Sequence, residues 1–199
     1  THFESSGTVT GYTGPSYADF LPCDFDGEDI EDVLQNVRNA LRDLELKLDV
    51  ENGVRVYFSG SKGFHVLLDA ELFGGWVPSP SLADDLKNLS LKVMGDYSGF
   101  DPSIYDKNRL LRVPNTINVK SGLFKVPLSI DEVLTLDIGQ IKELAKTQRE
   151  MDYPAWGDCL ESSGLQEIWN QVCYGTETIT KKRVDVSGIW QRGLKEGDG

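Results

Sequence analysis

Three short segments of this chain carry residue types that suit chemistry on phosphate groups. The first is the pair Asp24 and Asp26, the second is the run SGSKGFH at residues 59–65, and the third is Asp101 followed by NRLLRVP at residues 108–114. Carboxylates can hold divalent cations, while Ser, Lys, Arg and backbone N–H groups can bind phosphate oxygens. Each segment alone is common. In this order and within a short span, they favour a nucleotidyl transferase.

The pair Asp24 and Asp26 belongs with a short predicted strand. Residues two apart in a strand point to the same face, so both carboxylates should lie on one side, where they can share a cation. Cys23 and Phe25 should face the other side and pack into the core. The alternative is that the acids cap a helix predicted to start near Asp29, because acidic residues are favoured at helix starts.

Residues 59–63 are predicted to form a turn between two strands. Its two glycines allow the backbone to approach phosphate oxygens closely, and Ser59, Ser61 and Lys62 add donors and charge. His65 begins the next strand on the face opposite to its apolar neighbours, which points it toward the ligand of the turn. The spacing is not that of a P-loop. The alternative is an ordinary glycine hairpin with a surface His.

Asp101 lies in the sequence GFDP, which by itself indicates a plain turn. The Arg-rich run that follows makes Asp101 a candidate site residue. Arg109 and Arg112 are three apart, so in a regular strand they face opposite sides and at most one reaches the site. Lys120, at the tip of a predicted hairpin, and Lys125 beyond it should add mobile cations. The alternative is a surface hairpin with scattered charge.

These segments sit among alternating helices and strands. Strands are predicted at residues 21–25, 54–58 and 64–69, with a hairpin of 110–119 and 123–128. Helices are predicted at residues 29–48, 81–94, 129–150 with a break near 137–139, and 165–172. Ser129 and Glu132 are typical of a capping box at the start of the third helix. This order predicts an α+β fold with the helices on one side of the sheet.

The composition limits the class of protein. The 199 residues, 39% hydrophobic and 26% charged, suit one globular domain or one domain with a small appendage. Three widely spaced cysteines without a CxxC argue against a disulfide framework and against a Cys-rich zinc site. No apolar run is long enough for a membrane span and no signal peptide is visible, so we expect a cytoplasmic protein with no membrane partner.

The net charge of −12 argues against broad electrostatic binding to nucleic acid. A nucleic-acid enzyme with this balance must gather its few cations in one place. The sequence therefore predicts a local positive groove on an otherwise negative surface, formed by Lys62, Arg109, Arg112, Lys120 and Lys125.

Together the three segments resemble the archaeo-eukaryotic primase superfamily, the primase-polymerase group. Its DxD pair is matched by Asp24 and Asp26, its SGxxGxH turn by residues 59–65, and its lone Asp after an apolar residue by Asp101. Its stretch RLLRxPxSxHxKTG is matched by RLLRVPNTINVKSG at residues 109–122. The turn and this last stretch are the specific parts of the resemblance.

The last stretch also holds a departure from the family pattern. Asn118 stands where the family often has a His, which keeps a hydrogen-bond donor but cannot carry charge. The resemblance covers residues 21–128.

The resemblance implies a catalytic core with an RRM-like mixed or antiparallel sheet flanked by helices. It implies a DNA primase-polymerase that uses NTPs or dNTPs, a single-stranded DNA template and a primer, by two-metal phosphoryl transfer. The two ions, Mg²⁺ or Mn²⁺, would be held by the catalytic residues Asp24, Asp26 and Asp101. The nucleotide would be bound by Ser59, Ser61, Lys62, His65, Arg112, Asn118 and Lys120.

We expect residues 1–150 to form the catalytic domain and residues 151–199 a small helical appendage. The tail GLKEGDG at residues 193–199 resembles the start of a segment that opens a helical module in phage and plasmid primases. This implies a longer natural chain, with a helicase domain in that chain or in trans, in a bacterial, archaeal or phage-infected cell. The alternative is a polar chain end.

Three other functions compete with the primase-polymerase reading. A repair polymerase of the bacterial end-joining type is similar at the turn but lacks the RLLRxP run. A metal-dependent phosphohydrolase or nuclease would use the same three acids, without needing a turn that binds a triphosphate. A non-catalytic module with an RRM-like sheet would require surface aromatic residues on a strand, and these are not evident in the sequence.

Overall fold

The computed structural model describes residues 7–8, 11–48, 50, 52–105 and 111–175. Arg109 and the tail 193–199 lie outside the described residues. The strands are β1 Phe20–Asp26, β2 Val54–Phe58, β3 Gly63–Asp69 and β4 Val126–Leu128. The α-helices are α1 Ile30–Leu48, α2 Leu82–Met94, α3 Ile130–Thr135, α4 Ile138–Leu144 and α5 Ser163–Tyr174. Single 3-10 turns lie at Ala70–Phe73 and Pro102–Ile104.

The four strands form one antiparallel sheet in the order β1-β3-β2-β4. Asp24 of β1 stands opposite His65 of β3, and Tyr57 of β2 stands on the other side of His65. Pro127 of β4 continues the same row beside Tyr57. Because side chains alternate along a strand, this row and its second neighbours share one side of the sheet, which we call the open face.

The other side of the sheet carries the hydrophobic core. Leu21, Cys23 and Phe25 of β1 are buried on this side, as strand alternation predicts. The helix α1 buries a stripe of residues at helical spacing against the same core: Ile30, Val33, Leu34, Val37, Ala40, Leu41 and Leu44. The predicted α+β class is therefore confirmed, and so are the strands and helices predicted at 21–25, 54–58, 64–69, 29–48 and 81–94, with small shifts at their ends.

The predicted hairpin between residues 110 and 128 is wrong for most of its length. Among the described residues of this stretch only β4 is a strand, and one isolated bridge joins Ile117 to Phe124. The chain turns at Asn115, which has a φ of 61°, a left-handed conformation that Asn tolerates better than most residues. The Asn115 side chain also accepts from the backbone N–H of Arg149 and donates to its carbonyl, at 2.9 and 2.8 Å. Hydrogen bonds to a distant residue, Arg149, therefore replace the strand pairing of the predicted hairpin.

The helical stretch predicted from Ser129 divides into two short helices. Ser129 and Glu132 form the predicted capping box at the start of α3. A second capping box, formed by Asp137 and Gln140, begins α4. The predicted break near residues 137–139 is therefore a new helix start, and α4 ends earlier than the sequence period predicts.

The described part of the C-terminal segment packs on the helical layer. The Ser162 hydroxyl accepts from the backbone N–H of Leu165 at the start of α5 and donates to the carbonyl of Leu48. Leu165 is fully buried, and the ring of Trp169 packs edge-on against Trp76 with centroids 5.6 Å apart. Within the described ranges, no helix is both long enough and apolar enough to cross a membrane.

Candidate functional site

Asp24 and Asp26 lie on the open face of β1, where their side chains are 23% and 45% exposed. Cys23 and Phe25, which alternate with them, are buried. The sequence period thus placed the two carboxylates correctly on one side of the sheet. They remain accessible to an ion or a ligand.

The start of α1 is capped by another residue. Asp29 accepts from the backbone N–H of Glu31 at 2.9 Å. Asp26 accepts from Gly27 at 3.0 Å, ahead of the helix. The helix start therefore has its own capping acid and does not explain Asp26.

The turn after β2 is built by close backbone packing. Ser59 bonds to Gly63 twice, through its N–H to the carbonyl at 2.9 Å and through its Oγ from the N–H at 3.2 Å. A Cβ on Gly63 would overlap the carbonyl oxygen of Phe25, so only glycine allows β1 and β3 to approach here. Gly60 has a φ of 80°, and a Cβ on it would lie 2.9 Å from the carbonyl oxygen of Leu123.

Asp101 reaches the site through its backbone. Its N–H donates to the carbonyl of Asp24 at 2.8 Å, and Phe100 forms a bridge with Phe25 along the outer edge of β1. Its carboxylate accepts from the backbone N–H and the hydroxyl of Ser103, at 2.8 and 2.9 Å. The structure thus brings the main chain of Asp101 beside Asp24, while its side chain caps a 3-10 turn.

A cleft of about 270 Å³ joins these elements on the open face. Its lining contains eight of the ten predicted site residues: Asp24, Asp26, Ser59, Ser61, Lys62, His65, Arg112 and Asn118. Gly63, Ile104 and Leu111 complete the lining. Asp101 and Lys120 are not part of it.

The far side of the cleft comes from residues 111–125, which we call the loop wall. The Arg112 guanidinium donates to the carbonyl of Ser59 at 3.3 Å, which ties the loop wall to the turn. Asn118 is 9% exposed, and its Oδ1 accepts from the backbone N–H of Lys120 at 3.0 Å. Its Nδ2 is therefore the group that Asn118 can offer a ligand, while Lys120 is exposed and is not part of the cleft lining.

Lys125 differs most from the sequence-based expectation. Expected to be a mobile cation, it is only 2% exposed. Its ammonium donates to the carbonyl of Arg112 at 2.7 Å, and lies 2.9 Å from Nδ1 of His65 and 5.0 Å from the ring centre of Tyr57. Burial lowers the pKa of Lys125 to about 8, helped by Arg112 and opposed by Asp24.

His65 joins this buried lysine to the carboxylates. Its Nδ1 faces Lys125, and its Nε2 lies 3.5 Å from Oδ1 of Asp24. Burial, followed by the positive charges of Lys125 and Arg112, lowers the pKa of His65 to about 3. The imidazole is therefore neutral at neutral pH and contributes hydrogen bonding rather than charge.

Cations gather at this cleft although the chain as a whole is acidic. Lys62 lies 3.5 Å from Oδ2 of Asp26, and both side chains are about half exposed. Arg112 adds a second cation to the lining, and Lys125 adds a third behind His65. Of the five residues predicted to form a positive groove, three therefore meet at the site, Lys120 lies outside its lining, and Arg109 is not described.

The acids of the site are too few to hold a metal ion without help. Among the described residues, no three His, Cys, Asp or Glu side chains converge on one point. Asp24 and Asp26 offer carboxylate oxygens from one face of β1. That donor set suits an ion which completes its coordination with ligands from a substrate, as Mg²⁺ commonly does with phosphates.

Sequence reasoning missed two apolar lining residues and the role of Lys125. Ile104 and Leu111 carry no chemical signal and enter the lining through the chain path. Lys125 does carry a signal: it stands inside the apolar run LFKVPL, and a lysine in such a run is seldom buried unless it is paired.

Comparisons with known proteins give two partial relatives. No protein-family model matches the chain, and no solved structure matches it. The chain is similar to the uncharacterized protein MJECS07 of Methanocaldococcus jannaschii, with 27% identity over 112 residues, which is 50% of this chain and 24% of that protein. It is also similar to the UPF0246 protein Shewana3_3143 of Shewanella sp. strain ANA-3, with 30% identity over 94 residues, which is 47% of this chain and 36% of that protein. The matches thus span about a quarter to a third of these relatives, and neither name states an activity.

Proposed function

We propose that this chain is a template-dependent nucleotidyl transferase of the primase-polymerase type. It would add nucleotides from NTPs or dNTPs on a single-stranded DNA template, with or without a primer. The observation that carries the proposal is a single cleft in which two carboxylates on one strand face meet a Ser-Gly-Lys turn and an arginine. Carboxylates suit metal ions, and the turn and the arginine suit a triphosphate.

The carboxylates fit Mg²⁺ or Mn²⁺ bound together with substrate phosphates. Asp24 and Asp26 would hold the ions. The backbone of Asp101 is bonded directly to that of Asp24, and its side chain would have to leave Ser103 to act as a third carboxylate. Such ions, when bound, supply Lewis-acid stabilisation of charge on the α-phosphate and activate the attacking hydroxyl.

The other residues of the cleft would hold the triphosphate. Lys62 and Arg112 bring positive charge, and the turn that carries Ser59 and Ser61 brings hydroxyl groups and backbone N–H groups. In the reaction a 3′ hydroxyl gives up its proton to solvent, its oxygen bonds to the α-phosphorus, the bond from that phosphorus to the bridging oxygen breaks, and pyrophosphate leaves. Lys62 and Arg112 would stabilise the negative charge that develops on pyrophosphate, and catalysis would consist mostly of such positioning and electrostatics.

The arrangement of the first three strands supports the same reading. In the order β1-α1-β2-β3, with β1 beside β3, the chain follows the first four elements of a βαββαβ sheet of the kind that RRM-like cores use. A non-catalytic RRM-like module is less well supported. Tyr57, the aromatic residue at the centre of the open face, is 6% exposed and packs near Lys125 and Tyr153, so it offers no stacking surface.

The setting of the activity is part of the proposal. A primase-polymerase of a bacterial, archaeal or phage-infected cytoplasm works where a helicase exposes single strands. We therefore propose a helicase as partner, as a domain of a longer chain or in trans.

The proposal is tested by a primer-extension and de novo synthesis assay. The assay combines single-stranded DNA, with and without an annealed primer, Mg²⁺ or Mn²⁺, and labelled NTPs or dNTPs. The control is the double variant Asp24→Ala/Asp26→Ala. We expect metal-dependent products that are absent with the double variant, and the need for a primer separates extension from initiation.

Two results would contradict the proposal. Release of phosphate from nucleotides, or cleavage of the template, without any extended product would instead indicate the phosphohydrolase or nuclease reading. Product that persists in the double variant would show that synthesis does not depend on these carboxylates.

A further inference from the structure

Lys125 is a buried lysine beside the cleft. It is 2% exposed, in a chain whose other lysines of the proposed site, Lys62 and Lys120, are exposed. Moving an ammonium group from water into the protein is costly unless its hydrogen bonds are replaced. Here they are replaced by the carbonyl of Arg112, by Nδ1 of His65 and by the face of the Tyr57 ring.

The contact with His65 fixes which ring nitrogen carries the proton. A lysine side chain in its ammonium form only donates hydrogen bonds, so with Lys125 charged the Nδ1 of His65, 2.9 Å from Nζ, accepts. The ring proton then belongs on Nε2, on the side of the imidazole that faces the cleft and Oδ1 of Asp24. His65 therefore offers the cleft an N–H donor and not a lone pair.

The contact with Arg112 fixes the backbone of the loop wall. The Lys125 ammonium donates to the Arg112 carbonyl at 2.7 Å, while the Arg112 guanidinium reaches the carbonyl of Ser59. One buried group thus holds both the ring of His65 and the main chain of Arg112. The side chains of His65 and Arg112 both line the cleft, the first from β3 and the second from the loop wall.

We propose that Lys125 is a positioning residue that holds His65 with its proton on Nε2 and Arg112 at its place in the loop wall, so that both side chains donate into the cleft together. The inference rests on the proposed function in one respect, which is that the acceptors in the cleft are phosphate oxygens of a nucleotide. The hydrogen-bond geometry does not depend on that function.

The test is a long-range ¹H–¹⁵N NMR spectrum of the histidine rings in the intact chain, recorded without nucleotide or metal. The sequence contains only two histidines, His2 and His65, so a His65→Gln variant assigns both rings. We expect His65 to show a protonated Nε2 and an unprotonated Nδ1. A proton on Nδ1, or a mixture of the two tautomers, would overturn the proposal.

The variant Lys125→Met keeps most of the side-chain volume and removes the donor. We expect the His65 ring to become a mixture of tautomers, and the KM for the nucleotide to rise about tenfold with a smaller change in kcat. The matched control is Lys47→Met, because Lys47 is exposed, pairs with Asp43 on α1, and lies outside the cleft lining. The control should leave both the ring spectrum and the KM unchanged.

The outcomes separate this proposal from the proposed function. A folded Lys125→Met protein with an unchanged His65 ring would overturn the positioning role, whatever the chain catalyses. If Lys125→Met does not fold, the wild-type spectrum alone still decides the tautomer. A predicted tautomer together with a failed polymerase assay would contradict the proposed function and leave the role of Lys125 intact.

Discussion

The two ends of the open face use the same residue types for different purposes. At one end is the cleft of Asp24 and His65. At the other end, which we call the clamp, Arg55 lies between two aromatic rings, 3.4 Å from the centre of Trp156 and 5.0 Å from that of Tyr153. Each end combines an acid, a cation and aromatic packing on one sheet.

The difference lies in how the charged groups are satisfied. In the clamp, Asp69 is 2% exposed and accepts from the backbone N–H groups of Glu71 and Gly157, at 2.9 and 2.7 Å. Arg55 donates to the carbonyl of Pro154 at 2.5 Å. In the cleft, the nearest cation to Asp26 stands 3.5 Å away, and both groups are about half exposed. The charged groups of the clamp are hydrogen-bonded within the protein and stabilise the fold. The charged pair of the cleft is half exposed and is available to a ligand.

The largest effect should separate the two ends by activity. Asp24→Asn removes one charge from the cleft with little change of shape, and primer extension should fall by about 1,000-fold, the scale of several kcal/mol of lost charge stabilisation. The matched change in the clamp, Asp69→Asn, should leave the activity of the folded protein within about twofold. Single-turnover extension rates measure both variants. Equal losses would show that the cleft and the clamp do not differ in their importance for activity.

The next effect should separate the two ends by stability. Asp69→Ala leaves two backbone N–H groups without their acceptor, so the free energy of unfolding should fall by about 2 kcal/mol. Asp26→Ala removes a half-exposed carboxylate and should change that free energy by less than about 0.5 kcal/mol. Urea unfolding followed by Trp fluorescence measures both variants. A large loss for Asp26→Ala would mean that this acid is structural.

A third effect concerns pH and the buried ring of His65. Its pKa falls from 6.5 to about 3 on folding, so between these values only the unfolded state binds the proton, and stability is lost as the pH falls. The groups that face the ring are Lys125, Arg112 and Asp24. We expect the free energy of unfolding to drop by about 1 to 2 kcal/mol between pH 6.5 and about pH 5 because of this residue.

The pH effect is isolated by comparison with a variant. His65→Gln removes the titrating ring but retains a side-chain amide, so its unfolding free energy should depend less steeply on pH in this window. The measurement is urea unfolding of both proteins at several pH values. Identical slopes would show that His65 protonates as readily in the folded state as in the unfolded state.

The smallest effect should come from exposed cations. Lys62→Met should raise the KM for the nucleotide by about fivefold, because one mobile charge near a triphosphate contributes about 1 kcal/mol. Its unfolding free energy should stay the same. Arg55→Met should do the reverse, with an unchanged KM and a stability loss of about 1 to 2 kcal/mol from the lost stacking and hydrogen bond. Steady-state kinetics and urea unfolding of the pair test this exchange of roles.

The sequence predicted the parts of the fold that depend on local pattern. The alternation around Asp24 predicts a strand, the apolar period of α1 predicts a helix, and the glycines of residues 59–63 indicate a turn. These features suffice to place Asp24 and His65 on one face. These local patterns therefore predicted most of the residues that line the cleft.

The loop wall could not be predicted in the same way. Its path depends on the left-handed conformation of Asn115 and on bonds from that residue to Arg149, which is 34 positions away. The burial of Lys125 depends on His65, 60 positions away. Local sequence carries no information about such contacts, and residues 110–128 by themselves therefore predict a regular hairpin.

The bonds between the turn and the loop wall also determine when the cleft can form. Arg112 meets Ser59 across 53 positions, and the Ser121 hydroxyl donates to the carbonyl of Gly60 across 61. Closing such long loops costs chain entropy before the contacts repay it, whereas the hairpin of β2 and β3 closes over only a few residues. The β2–β3 hairpin can therefore form before the loop wall joins the turn, while β1, which carries the carboxylates, pairs with β3 across 41 positions (Asp24 to His65). During synthesis, a nascent chain that has emerged only as far as β3 already holds both acids and the basic turn, yet it has no enclosed cleft in which to use them.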